Sequence, residues 1–475
     1  MLIKSCLLFT LYDAQHQVQN DEEIAVELQR QFLDETNCQA DQIATCSFAQ
    51  NSEDKGPFWN EASNLHEEEC SVISTSEDFT SPTAVVQALE KRVNKEKQFF
   101  IPVRRKTTLP CILKLWQYEA TRQSVHNEIR VKFLGEDGID TGALTREFFT
   151  DVVPVIGHTL FPNGSPIDST YHVQNGNFRT SGEIVASSLA NGGPPPCFMD
   201  ERAFRSMVNP GIDASKMETE DGMTLTERQL LDIVRNDVNQ HRDTILEHGY
   251  TGPVDVAHID DIVRSMTVSL INKRALYLRE FKEGLSLFGL SDILDSYPQV
   301  CLPLFVQEQN EKVDASYLFS LMQPEFSPEG SSRREVEETL MHNFQDLLMA
   351  LEDGGITGYT SPMAWNYSED QSDEIPVADT ERSGEQFEMV DLTSSGIMGW
   401  LTGQKHRQLN GEKIAIVAKF DHECLTRNPT HSICFPLVGA CGRVITFPVS
   451  HMKDYEAFKN VFLLAFCKGQ AFSKP

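Results

Sequence analysis

The chain has 475 residues, with 41 Lys and Arg against 70 Asp and Glu, giving a formal net charge of −29. That charge repels phosphate backbones and anionic bilayers, which excludes nucleic acid and membrane as bulk electrostatic partners. At roughly 100 to 200 residues per domain the length predicts two or three folded units, and a composition of 40% hydrophobic and 23% charged residues is that of a globular protein.

No run reaches the about 20 apolar residues of a membrane-spanning helix, the best stretches being Cys6 to Tyr12 and Val461 to Cys467. The first passes into Asp13 without a small-residue cleavage pattern, so it does not read as a secretory leader. The eleven cysteines are odd in number and form no CxxC pair. A chain this long needs no disulfide framework, and a reducing cytoplasmic or nuclear setting is the expectation.

Residues 1–82 are polar and acidic, with Glu67-Glu68-Glu69 and a Ser/Thr-rich stretch from Ser71 to Thr83, and read as a low-order tail. From Ala84 to Phe100, Val85, Val86, Leu89 and Val93 recur at helical spacing beside Lys91, Arg92, Lys95 and Lys97, predicting a helix with a basic end within a helical lead-in over 83–114. Residues 115–365 read as a helix-rich body. Thr224 and Glu227 form a capping-box pair ahead of Leu230, Leu231 and Val234, with a stop near Gly249. Ile259, Val263, Met266 and Leu270 make a second stripe that continues towards Phe281 and Gly284. Val336, Leu340, Phe344, Leu347, Leu348 and Leu351 make a third, ending at Gly354-Gly355.

Residues 366–390 carry eight acidic side chains against Arg382 alone and read as an acidic hinge linker. Beyond it, Lys413 to Phe420, Ser432 to Val438 and Arg443 to Phe447 read as strands. Tyr455, Phe458, Val461, Phe462 and Ala465 then make an amphipathic helix ending at Gly469. The predicted fold class is α+β, with a large, mostly helical lobe at 115–365 and a small α/β lobe at 391–475. Residues 401–475 hold ten Lys and Arg against five Asp and Glu, so the small lobe is locally basic.

No HExxH, Walker A or GxSxG pattern is present, and the loop of Gly135, Gly138 and Gly142 lacks the lysine of a phosphate cradle. His422, Cys424, His431, Cys434 and Cys441 are metal-capable, but their irregular spacing lacks the paired knuckle of structural zinc, so neither metal nor cofactor is expected. Cys434 stands out as a nucleophile. It follows the polar stretch Asn428-Pro429-Thr430-His431-Ser432, where Pro429 breaks regular structure, and it enters a short strand near Arg427 and Arg443. A large protein substrate can reach a thiol at a loop mouth, and nearby cationic or imidazole groups favour the thiolate.

Three motifs resemble those of the HECT-type ubiquitin ligases, in that family's order. They are the segment from Val131 to Phe149 with its Gly135-Glu136-Asp137-Gly138-Ile139-Asp140-Thr141-Gly142 core, Trp400-Leu401-Thr402-Gly403-Gln404, and Pro429-Thr430-His431-Ser432-Ile433-Cys434-Phe435. Asn177 to Gly182 and Phe281 to Gly284 fall where the family has related features. The resemblance covers residues 115–475 and implies a bilobal HECT domain. Its larger lobe would recruit a ubiquitin-conjugating enzyme, and its smaller lobe would carry the cysteine. It implies that Cys434 accepts ubiquitin as a thioester and passes it to a lysine of a protein substrate. His431, Phe435 and Phe472 are the supporting residues it suggests, Phe472 matching an aromatic near the family's end. Ile433 stands where the family usually has Thr, and Asp140, Arg146 and Glu147 read as structural charges that set the turn and the following helix. The alternative is a HECT-shaped module that docks ubiquitin or a conjugating enzyme without the thioester. A cysteine hydrolase would need a positioned His and Asn or Asp, which no spacing here supplies.

Overall fold

The computed structural model describes residues 78–136, 140–209, 223–306, 312–354, 391–427, 429 and 433–468. Contacts divide the chain into two units, residues 1–79 with 107–114 and residues 80–106 with 115–475. Of the first, residues 78–79 and 107–114 are described, the latter opening helix α2. The predicted acidic tail up to residue 77 and the linker 366–390 lie outside the described residues. What is described is a mixed α+β fold, mostly helical, with one two-stranded and one four-stranded sheet.

Helix α1 (Pro82–Lys91) starts where the Ser81 side chain accepts from the Ala84 amide, with proline in its first turn, and it buries Val85, Val86, Ala88 and Leu89. The helix predicted through Phe100 stops here, and residues Asn94–Val103 are strand β1. Beyond Val93 burial resumes only near the strand's end, where Phe100 is exposed, Pro102 is buried, and so are Phe99, Ile101 and Val103. These pair in parallel with Ile129, Val131 and Phe133 of β2 (Asn127–Phe133). A partner about 30 residues away thus overrides local helical spacing. Helix α2 (Leu109–Arg122) connects the two strands.

The helical body continues with α3 (Ala143–Leu160), α4 (Thr170–Gln174), α5 (Asn177–Ala190), α6 (Glu201–Val208), α7 (Leu225–Asn236), α8 (Arg242–Glu247), α9 (Ile259–Gly284), α10 (Leu290–Ser296) and α11 (Pro298–Phe305). The Thr224/Glu227 capping box is present. The helix it starts ends at Asn236, however, and a second short helix carries the chain to Gly249, whose φ is +81°. Leu231, Val234, Ile245, Ile262 and Met266 close a small core between α7, α8 and the start of α9. Helix α9 follows its predicted stripe to Gly284.

Helices α5 and α9 cross at two glycines. A Cβ on Gly182 would stand 2.2 Å from the Phe281 carbonyl oxygen, and one on Gly284 would stand 1.9 Å from that of Arg179. Backbone therefore meets backbone, and Phe178 stacks on Tyr277 beside the crossing with ring centroids 5.4 Å apart.

The C-terminal elements are α12 (Ala315–Ser320), β3 (Met322–Pro324), α13 (Ser332–Glu352), α14 (Ser394–Thr402), β4 (Ile416–Asp421), α15 (Cys424–Arg427), β5 (Leu437–Gly439), β6 (Val444–Pro448) and α16 (Tyr455–Lys468). The sheet order is β3-β4-β6-β5, with β5 antiparallel and the other pairs parallel. The strand predicted for Ser432 to Val438 begins only at Leu437, because Pro436 just before it has no N–H to give a ladder. Phe344 of α13, Phe447 of β6, Phe458 and Phe462 of α16 and Trp400 of α14 share one core. The packing thus joins α13, from before the acidic stretch, to elements from after it.

Among the described residues no helix is long and apolar enough to cross a membrane.

Candidate functional site

The first and second sequence motifs meet at the start of α3. The Asp140 carboxylate accepts from the Val131 amide at 2.9 Å and the Gly142 amide at 2.7 Å, and from the Thr145 hydroxyl, so it fastens β2 to the turn that opens α3. Arg146, on the first turn of α3, donates to the Thr402 carbonyl at 3.1 Å through Nη2, and Thr150 donates to the Gly403 carbonyl at 3.3 Å. Burial and then the Arg443 charge lower the Arg146 guanidinium to about 10. Glu147 instead pairs with Arg105, which also holds Glu136. All three have structural partners, but only Asp140 sets the turn as expected, since Arg146 and Glu147 reach partners distant in sequence.

Cys434 lies in the irregular segment 433–436 that leads into β5, the edge strand of the sheet. Its side chain is half-buried, whereas Ile433, Phe435 and Leu437 are 40%, 37% and 70% exposed. Three exposed apolar side chains thus stand close in sequence to one half-buried thiol. Phe435, expected as a supporting residue, is one of them. His431 and Phe472 lie outside the described residues.

Cys424, the buried first residue of α15, and His451, in the turn that follows β6, converge on Cys434. The two sulfurs and an imidazole nitrogen all lie within 4.8 Å of one another. The sequence groups Cys424 with Cys434, but it does not single out His451. The only signal for His451 is its place just past the Val444–Pro448 strand, which runs beside the one that ends ahead of Cys424.

The electrostatics differ from the expected cationic thiolate pocket. Burial pushes the Cys434 thiol up, Cys424 and the Asp421 carboxylate add to this, and Arg427 opposes them. Arg427 is itself paired with Asp421, and the influence of Arg443 falls on Arg146. The cation that does act on the sulfur, Arg427, is shared with a carboxylate and outweighed.

The loop between β4 and α15 is anchored from behind. His422 Nε2 lies 2.6 Å from Glu337 Oε1, and Glu337, 1% exposed on α13, also accepts from the Ser327 amide at 2.7 Å and the Ser327 hydroxyl at 2.6 Å. Those bonds hold the Glu337 carboxyl below its ordinary value even though burial alone would raise it.

Neither models of known protein families nor curated proteins match this chain.

Proposed function

We propose that the chain is a HECT-type ubiquitin-protein ligase in which Cys434 accepts ubiquitin from a conjugating enzyme and delivers it to a substrate lysine. The observation that carries this reading is the setting of Cys434, a half-buried thiol in the irregular segment leading into an edge strand, with exposed Ile433 and Phe435 on either side in the sequence. A folded protein can approach such a thiol, and a flat apolar rim suits docking of another protein surface. The bilobal reading, with 115–365 as recruiting lobe and 391–475 as catalytic lobe, rests on the resemblance of the three motifs, and the core that α12, β3 and α13 share with the elements after residue 391 argues for moving its boundary ahead of Val313. The contact between the first two, through Arg146 and Thr402, supports treating them as parts of one architecture.

The transfer takes two acyl exchanges. The Cys434 thiolate attacks the thioester carbonyl of ubiquitin on the conjugating enzyme, and the enzyme's thiolate leaves. A lysine amine of the substrate then attacks the new thioester, the Cys434 thiolate leaves, and the amine proton passes to solvent. Thioester exchange is nearly isoenergetic, so the carbonyl stays activated towards amines. His451 is the candidate to take the thiol proton, its ring nitrogen lying within 4.8 Å of the sulfur and needing to close to hydrogen-bond distance to do so.

A docking module that binds ubiquitin or a conjugating enzyme without forming the thioester is the second reading, and the apolar trio Ile433, Phe435 and Leu437 supports it equally. One experiment separates the two. Purified chain is mixed with ubiquitin, activating enzyme and a panel of conjugating enzymes, and a thiol-sensitive ubiquitin adduct is sought. The ligase reading expects an adduct that Cys434→Ala abolishes. An adduct that survives this substitution overturns the assignment of Cys434, and binding without any adduct favours the docking module.

A further inference from the structure

We propose that Cys424, Cys434 and His451 form a binding site for zinc, with two thiolates and one imidazole as ligands and a fourth position open towards solvent. Their ligand atoms, brought from three separate segments, lie within 4.8 Å of one another. In a tetrahedral site with Zn–S of about 2.3 Å and Zn–N of about 2.0 Å, neighbouring ligand atoms stand roughly 3.5–4 Å apart. Closing this gap takes a shift of about 1 Å, within reach of side-chain rotation at the half-buried Cys434 and His451.

The donor set decides the ion. Two soft sulfurs and an imidazole suit zinc and disfavour magnesium or calcium, which take hard oxygen ligands. Cys424 is the fixed ligand. It is buried at the start of α15, on a loop held by the His422–Glu337 pair on one side and the Asp421–Arg427 pair on the other. Cys434 and His451 flank it nearer the surface, which leaves the fourth position to water. Binding forms two Zn–S bonds and one Zn–N bond, and the two thiol protons pass to solvent, so two thiolates balance the dication with no change of oxidation state.

The site stands on this geometry and not on the ligase reading. Its consequence for that reading is regulatory, because a metal-bound Cys434 sulfur is withheld from acyl transfer.

Cobalt(II) is the probe. The full chain, reduced and stripped of metal with a chelator, is titrated with Co²⁺ and followed by absorption. Thiolate-to-cobalt charge transfer and tetrahedral ligand-field bands are expected to saturate at one equivalent, and Zn²⁺ should displace them. Cys424→Ala and His451→Ala should each weaken binding by more than about 100-fold, above the loss typical of an outer-shell partner. Cys441→Ala, outside the cluster, should change nothing. A wild-type spectrum without thiolate charge transfer overturns the proposal, and this needs no variant to fold. Unchanged cobalt affinity in Cys424→Ala overturns it too. A chain that binds cobalt as described, yet forms no ubiquitin adduct when freed of zinc and cobalt, keeps the metal site and loses the ligase reading.

Discussion

Removing the Glu337 carboxylate should loosen the loop that carries Cys424. This side chain is 1% exposed and meets the Ser327 amide, the Ser327 hydroxyl and His422 Nε2 at 2.7, 2.6 and 2.6 Å. In Glu337→Ala all three donors lose their acceptor inside the protein, His422 among them with only 16% of its side chain exposed. Breaking a buried pair from one side costs about 3–5 kcal/mol. Glu337→Gln keeps the shape and can still accept from Ser327, so it forfeits chiefly the charged bond to His422, about 1.5–3 kcal/mol. Urea unfolding followed by tryptophan fluorescence measures the global change, since Trp400 lies in the same core as α13. Hydrogen exchange of the amides from Asp421 to Arg427 measures the local one. An Ala variant within about 1 kcal/mol of wild type, the range of solvent-screened surface pairs, with unchanged exchange, would refute the reasoning.

The same group predicts a response to acid. Its folded pKa lies below the ordinary 4.5, so its stabilisation is present above pH 4.5 and is lost as pH falls through the lower folded value. The acid limb of stability against pH should flatten in Glu337→Gln. At the crossing of α5 and α9, Gly182→Ala gains about 1 kcal/mol of helix propensity but drives a methyl into the Phe281 carbonyl, an overpacking cost of about 3 kcal/mol. A net loss of about 2 kcal/mol in urea unfolding is expected, and a neutral or stabilised variant would show that the helices part easily. Arg146→Gln should cost about 1.5–3 kcal/mol by depriving the Thr402 carbonyl of its charged donor. Phe435→Ala, at an exposed position, should leave the melting temperature unchanged while weakening ubiquitin transfer, and a large drop in stability would mean that the ring packs inward.

Helices α9, α13 and α16 are legible in the sequence because each carries its own apolar stripe and stop signal within one segment, whereas α7 is legible only at its capped start, the stop at Gly249 belonging to α8. Strand β1 is not. Its first five residues are polar and outward-facing, and its buried positions take their meaning from β2, whose register is visible only after folding. That Cys434 lies in irregular chain just ahead of a strand is legible from the proline and polar residues before it. His451 is not, since its relation to the thiol arises only when the segments after β4 and β6 come together on one side of the sheet. The Arg146–Thr402 contact spans 256 positions and leaves no local trace. Formal charge misleads in the same way, because counting basic residues in a stretch says nothing about which carboxylate each one meets.

The joining of α13 and α14 in one core has an architectural corollary. The two ends of the acidic stretch, after Gly354 and before Asp391, are tethered to the same body, so the stretch is topologically an insertion into that body. Loop closure grows only logarithmically with length, about 0.6 kcal/mol per doubling. For a flexible connection between those two ends, a change of length therefore carries little closure cost. The length of the insertion is a quantity the protein can vary independently of the architecture that holds Cys434.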